Sequence, residues 1–181
     1  MKIRIIAGKY GKRLIEAPEN AITHPMGERI RNALFNIVSD EINHAQVLDA
    51  FSGTGALGLE AISRGADHAT FIERDRGSQT ILARNIASLQ AGDQTTLLNM
   101  DVVQWLNRSP DQLFDVILAD PPYDDTQFST VTRLFMHLKP NGLMVLSYPG
   151  RGEAPTEAGV VVVDNRSYGT AALTFYRLSG V

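Results

Sequence analysis

Between residues 47 and 147 short runs of β-branched and apolar residues alternate with segments whose apolar positions fall at helical spacing. This alternation constrains the fold more than any other feature. Val47 to Phe51, Ala69 to Glu73, Thr95 to Asn99, Phe114 to Ala119 and Leu143 to Ser147 read as strands. Leu57 to Arg64, Gln79 to Leu89, Val102 to Leu106 and Phe128 to Leu138 read as the helices between them, the second with its apolar face at Ile81, Leu82, Ile86 and Leu89. Strands that return through helices pair in parallel, and a parallel sheet needs cover on both faces, so the pattern predicts an α/β fold. The end departs from it: "GVVVVDNRSYGTAALTFYRL" gives two strands and no helix, a terminal antiparallel hairpin.

The start departs as well. Residues 3–6 and 13–15 flank "AGKYGK", whose glycines suit a turn, and a short β-hairpin is expected there. From Glu28 the apolar positions Ile30, Ala33, Leu34, Ile37 and Val38 predict a helix. A chain of 181 residues with 44% apolar content suits one domain, so residues 1–181 are expected to form a single unit, with residues 1–26 as a small basic hairpin extension.

Parallel strands bring their carboxyl ends to one edge of the sheet, and ligands bind there. Two segments bear on that edge. The first, "VLDAFSGTGALGLEA", places Gly53, Gly55 and Gly58 directly after a strand, and Glu73 ends the next strand where an acid can bind ribose hydroxyls. This predicts a nucleoside-containing ligand. Asp49, just before the loop, repels a pyrophosphate and attracts a cation, a difference of a few kcal/mol (about) at an effective dielectric near 20. S-adenosylmethionine carries an amino group and a sulfonium and no phosphate, so it fits better than a dinucleotide. The bland alternative for Asp49 is a cap on a helix or turn. Asp101, after the third strand, is placed to accept from an adenine amino group, and equally to cap the helix it opens.

The second segment is "VILADPPYDD", residues 116–125. Pro121 and Pro122 cannot give hydrogen bonds to a sheet ladder, so the strand ends in a stiff corner that fixes Asp120 relative to Tyr123. The Asp120 carboxylate and the Pro121 carbonyl can accept from an exocyclic amine, while the Tyr123 ring offers a face to a planar base. Such an amine is a poor nucleophile because its lone pair is delocalised. Positioning it against an electrophilic carbon can supply about 7 to 11 kcal/mol, and stacking about 1 to 3 kcal/mol of base affinity. A polar turn with no function is the alternative. Neither a metal nor a covalent intermediate is required.

The net charge of −3 conceals an uneven distribution. Residues 1–31 hold Lys2, Arg4, Lys9, Lys12, Arg13, Arg29 and Arg31 against Glu16, Glu19 and Glu28, a local charge of +4 that leaves −7 for the rest. An anionic partner at one end is expected, against the alternative of a merely solvated basic face. The chain has no cysteine, which excludes disulfides and thiolate metal sites. It has no secretion-type leader and no long apolar run, and a soluble cytoplasmic protein is expected.

"DAFSGTGALGLEA", "IERD" and "DPPY" together resemble the class I S-adenosylmethionine-dependent methyltransferases that act on amino nitrogens of bases. With "RIIAGKYGKRL", "RIRNALFN" and "YGTAALTFY" the chain resembles the RsmD family, which methylates a guanine N2 in 16S ribosomal RNA. The resemblance implies a Rossmann-like seven-stranded sheet with a reversed last strand, and S-adenosyl-L-methionine held by Asp49, Phe51, Gly53, Gly55, Glu73, Asp101 and Val102. It implies base handling by Asp120, Pro121 and Tyr123, and RNA contacts from Lys9, Lys12, Arg13, Arg29 and Arg31. The partner implied is 16S ribosomal RNA, free or in an assembling small subunit, bound by a monomer without a membrane. Where the family carries Arg-Pro-Thr before the R-x-R helix, this chain has His24, Pro25 and Met26. A lone histidine such as His24 is expected on the surface.

Three rivals share parts of this reading. An adenine-N6 methyltransferase acting on RNA or DNA shares "DPPY", but usually needs a target-recognition segment for which 181 residues leave little room. A nicotinamide dehydrogenase shares the glycines and leaves "DPPY" unexplained. An inactive RNA-binding module would have no need of Asp120 and Tyr123.

Overall fold

The computed structural model describes residues 1–19, 25–150 and 152–180. His24, expected on the surface, lies outside the described residues. β1 (Lys2–Arg4) and β2 (Leu14–Glu16) form the antiparallel hairpin, with Ile3 opposite Ile15. Two helices, α1 (Glu28–Ile37) and α2 (Ser39–Ile42), lead into the alternating part. There follow β3 (Gln46–Asp49), α3 (Ala56–Ser63), β4 (His68–Ile72), α4 (Arg76–Ser88), β5 (Thr95–Leu98), α5 (Val102–Arg108), β6 (Phe114–Ala119), α6 (Phe128–Leu134) and β7 (Leu138–Pro149). β8 (Val160–Tyr168) and β9 (Ala171–Leu178) close the chain.

The sheet has seven strands in the order β5-β4-β3-β6-β7-β9-β8. β3 to β7 are mutually parallel, and β9 runs antiparallel to both of its neighbours. The reversed last strand is therefore inserted between β7 and the edge strand β8. Local chemistry explains most boundaries. α4 begins at Arg76, three residues before the periodicity predicts, because the Asp75 side chain caps it by accepting from the Ser78 amide at 2.8 Å. The helix expected over 128–138 is shorter: α6 stops at Leu134, one 3₁₀ turn follows, and β7 starts at Leu138. Its pairing with β6 is irregular before Leu143, where Asn141 takes a left-handed conformation.

Apolar cores fill both faces of the sheet. One joins Leu34, Phe35, Leu59, Ile62, Leu82 and Phe71, and the other joins Trp105, Leu106, Val131, Leu134 and Phe135 to the far side of β6 and β7. The hairpin belongs to the first core, since Ile5, Ile15 and Ala17 are buried in it or against it. A buried carboxylate holds it there. Glu60 on α3, 0% exposed, accepts from the Ile6 and Ala7 amides at 2.8 and 3.1 Å and pairs with Arg64 and Arg31.

Of the apolar positions read for α1, Leu34 and Val38 are buried and Ile30 packs partly against the core, while Ile37 is exposed and Arg31 and Phe35 turn inward. The pairing with Glu60 corrects one expectation. Arg31 was expected to contact RNA, but it is 0% exposed and donates to the Arg4 carbonyl at 2.6 Å. A guanidinium spent inside the core on Glu60 and a backbone carbonyl has no access to a phosphate. Among the described residues, no helix is long and apolar enough to cross a membrane.

Candidate active site

The loop after β3 is pinned from both sides. The Ala50 amide donates to Leu118 of β6 and the Ser52 amide to Ile72 of β4, both at 3.0 Å. Gly53 and Gly55 both have positive φ, at 54° and 90°, which glycine adopts without strain. Their surroundings differ. A side chain on Gly55 would strike Leu82, and one on Gly58 would strike the Phe71 ring, so these two glycines let α3 settle against α4 and β4. At Gly53 nothing lies within 4 Å, and this is the side of the loop open to a ligand.

Around that opening stand the acids. Asp49 is 1% exposed; its Oδ2 accepts from the Gly58 amide at 3.0 Å while its Oδ1 is buried with no partner. The capping reading of Asp49 thus holds for one oxygen and leaves the other available. Burial pushes its carboxyl up to about 7, opposed by the Gly58 hydrogen bond and reinforced by the charges of Asp120 and Glu73. Glu73 turns back over the loop, accepting from Gly53 and Asp75 amides at 2.6 and 2.7 Å. Burial raises its pKa, and those two hydrogen bonds oppose the shift. Asp101 caps α5 by accepting from the Gln104 amide at 2.8 Å, with Val102 buried behind it. Phe51 packs partly against the second core.

Beside Asp49, β6 delivers the proline corner. Burial lifts the Asp120 carboxyl to about 6, and Ser147 opposes the shift. Pro121 is buried, and the turn closes through the Asp125 amide to the Pro122 carbonyl at 3.0 Å. Tyr123 remains 42% exposed, with its hydroxyl 2.9 Å from Ser147 Oγ. Its pKa is raised by burial first, then by the charge of Asp120. Asp49, Glu73, Asp120 and Tyr123 are thus brought to one edge, with an aromatic face open beside the buried Asp49 and the partly buried Asp120.

The basic residues are placed differently. Lys9, Lys12 and Arg13 are exposed, but the hairpin turn rests on the carboxyl ends of α3 and α4: the Lys9 amide donates to Ser63, the Arg13 guanidinium to Ser88, and the Lys9 ammonium to Gln94, just before β5. Helices that cross between parallel strands end where the next strand begins. The turn therefore lies at the amino-terminal edge of the sheet, opposite Asp120 and Tyr123. Arg29 is exposed on the first turn of α1. Arg74 and Arg76, not singled out from the sequence, are exposed at the carboxyl edge after β4, and Arg74 pairs with Asp125 at 3.6 Å. A separate cavity of about 440 Å³ lies beneath α5, lined by His68, Thr96, Trp105 and Arg108 among others; none of the predicted site residues lines it.

Sequence reading also missed Ser147 and Asn85. Asn85, buried on α4, accepts from the Glu16 amide at 2.8 Å and donates to the carbonyls of Glu16 and Thr54 at 3.0 and 2.8 Å. It ties β2 to the glycine loop. The only signal for either residue was a polar side chain inside an otherwise apolar face.

Sheet order, reversed strand, glycine loop and acidic carboxyl edge together define a Rossmann-like class I methyltransferase fold. A solved Escherichia coli structure, yhhF, provisionally described as a methyltransferase, superposes over the whole of both chains with a TM-score of 0.86 at 30% identity. Residues 3–177 match the family described as Conserved hypothetical protein 95, and the chain belongs to that family, which is the RsmD family that the sequence motifs resemble. The Escherichia coli protein named Ribosomal RNA small subunit methyltransferase D is 38% identical over 122 residues, 67% of this chain and 61% of that one. That match spans less than two thirds of the relative's length. The Haemophilus influenzae protein of the same name is 32% identical over 148 residues, 79% of this chain and 77% of its own.

Proposed function

We propose that the protein transfers a methyl group from S-adenosylmethionine to the N2 amino group of a guanine in small-subunit ribosomal RNA. The observation that carries this reading is the buried Asp49 carboxyl next to the partly buried Asp120 carboxyl, beneath an open glycine loop and beside an exposed tyrosine ring. The residues fit that cofactor. The unpartnered Oδ1 of Asp49 is a buried acceptor suited to a cation, and the open side of Gly53 admits a ligand close to the backbone. In this reading Glu73 takes the ribose hydroxyls, and Asp101, Val102 and Phe51 the adenine. A pyrophosphate would meet acids on both sides, which disfavours a dinucleotide.

When bound, S-adenosylmethionine supplies a methyl carbon activated by its positive sulfur. The remaining work falls to the chain. Tyr123 gives the target base a stacking face, and Asp120 with the Pro121 carbonyl accepts its amino hydrogens, holding the nitrogen lone pair in one direction. As that lone pair would form the bond to carbon, the carbon–sulfur bond would break and its electron pair would pass to sulfur, leaving a neutral thioether; the nitrogen would then be acidic and must lose a proton. Asp120, with a pKa near 6, can take it up in its ionised form. Reaching Tyr123 requires the base to be unstacked, which costs least in a loop, so looped RNA is the better substrate. The naming of the two ribosomal relatives supports RNA over DNA as the substrate class.

The test is to incubate the protein with labelled S-adenosylmethionine and undermethylated small subunits, digest the RNA and identify the labelled nucleoside by mass spectrometry. Label in N2-methylguanosine is expected. Label in N6-methyladenosine, or only in added DNA, overturns the base assignment. Calorimetry separates the cofactor question: tight NAD binding with no heat from S-adenosylmethionine overturns the methyltransferase reading itself.

A further inference from the structure

The proline corner is not held by its own residues alone. β6 and β7 pair in register up to Ala119 and Leu146, so the next residues, Asp120 and Ser147, leave the ladder side by side. Ser147 is 2% exposed and lies opposite Leu173 of the reversed strand, with apolar Leu146 and Tyr148 on either side in the chain. A hydroxyl there needs partners, since an unsatisfied buried one is costly. Its partner is the Tyr123 hydroxyl at 2.9 Å. Ser147 also holds the neighbouring Asp120 carboxyl down against the rise that burial causes.

Resting on the methyltransferase reading above, we infer that Ser147 is a positioning residue: its hydroxyl fixes the Tyr123 ring at the point where Asp120 leaves the β6–β7 ladder, so that the stacking face and the amine acceptor keep one relative geometry. In the Tyr123–Ser147 pair either hydroxyl can donate, whereas an ionised Asp120 carboxylate can only accept. Without Ser147, Tyr123 is an exposed ring on a loop with its hydroxyl untethered. The base could still stack, but in a range of orientations, and only some of them aim the amino group at the reacting carbon. Ser147 need not touch substrate for this. The loss should appear in the rate of transfer and not in cofactor binding.

The test uses the full chain with Ser147→Ala, Ser147→Thr, Tyr123→Phe and the Ser147→Ala/Tyr123→Phe pair. Single-turnover methylation and calorimetry with S-adenosylmethionine are measured on each. Ser147→Ala is expected to slow transfer about tenfold, with cofactor affinity within twofold and KM for RNA little changed. Tyr123→Phe keeps the ring but loses the hydroxyl, so it should slow transfer similarly, and the double variant should be no slower than the slower single. Ser147→Thr keeps a hydroxyl and should recover most of the rate. The pH profile adds a readout that a packing defect would not move. Asp49 on β3, Tyr123 on the same loop and Ser147 on β7 surround Asp120, and removing Ser147 alone should shift the acid limb of the rate to higher pH. Multiplicative losses in the double variant, or a Ser147→Ala enzyme with normal rate and pH profile, overturn the inference. If no variant, including the wild type, binds S-adenosylmethionine, the failure belongs to the functional reading.

Discussion

Asp49 shows how one residue can be costly to the fold and useful to the site. A carboxyl whose pKa rises from 3.8 to about 7 on folding makes the native state prefer its proton, so its stability is greatest below about pH 4 and falls as pH rises through 7. The upper bound on that loss by pH 8 is about 4 kcal/mol. Asp49→Asn removes it. The variant is expected to melt higher than wild type at pH 8 and to lose that advantage toward pH 4, while binding S-adenosylmethionine weakly at every pH. Wild-type affinity should fall as pH drops below 7, because protonation removes the charge that attracts the cation. Equal gains in melting temperature at pH 5 and pH 8 would show that Asp49 is not held protonated. Asp120 and Glu73 separate by function in the same way. Asp120→Ala should nearly abolish transfer with cofactor affinity within a few-fold, and Glu73→Ala should mainly weaken the cofactor. Equal losses of affinity in the two variants would contradict that division.

At the scale of elements, what was legible in the sequence was what local pattern encodes. The strand–helix alternation, the glycine loop at 53–58 and the "DPPY" corner are contiguous, and each was placed on the correct element and edge. Contacts between distant segments were not legible. Arg31 looked like one of a basic cluster because its partner, Glu60, lies on another helix, and nothing near either residue announces the pair. Ser147 ends an apolar run, and only the β6–β7 register gives its hydroxyl a purpose. The hairpin likewise looked like an appendage, although Glu60 binds two of its amides and Asn85 ties β2 to Thr54. Glu60→Ala strands those amides and leaves Arg31 buried without its counter-charge. Breaking a buried pair of this kind costs about 3 to 5 kcal/mol. Urea unfolding should show a loss of that size, with the amides of Ile6 and Ala7 losing protection from hydrogen exchange. A loss below about 1 kcal/mol would mean that the hairpin is only loosely attached.

On the scale of the whole molecule, charge lies on two opposite edges. Arg74, paired with Asp125 of the Tyr123 loop, and Arg76 stand at the carboxyl edge, whereas Lys9, Lys12 and Arg13 stand at the amino-terminal edge. Strands of 4 to 6 residues with their loops separate the two groups by roughly 20 Å, at 3.3 Å per residue. That exceeds a Debye length of about 8 Å in physiological salt, so a short RNA loop seated at Tyr123 should not sense the hairpin cluster. A substrate large enough to span both edges should. The hairpin cluster is thus expected to distinguish a long ribosomal fragment or an assembling subunit from a small hairpin oligonucleotide. Each phosphate contact contributes up to about 0.9 to the slope of log affinity against log salt. Replacing Arg74 and Arg76 by Gln should flatten that slope for both substrates. Replacing Lys9, Lys12 and Arg13 by Gln should flatten it only for the large one, and folding should survive because the three side chains are exposed and the turn keeps its backbone bond from Lys9 to Ser63. A slope that changes for the short oligonucleotide as well would place RNA directly on the amino-terminal edge. The target base would then have to reach Tyr123 from the far side of the sheet, which the separation of the two edges makes incompatible with a small looped substrate.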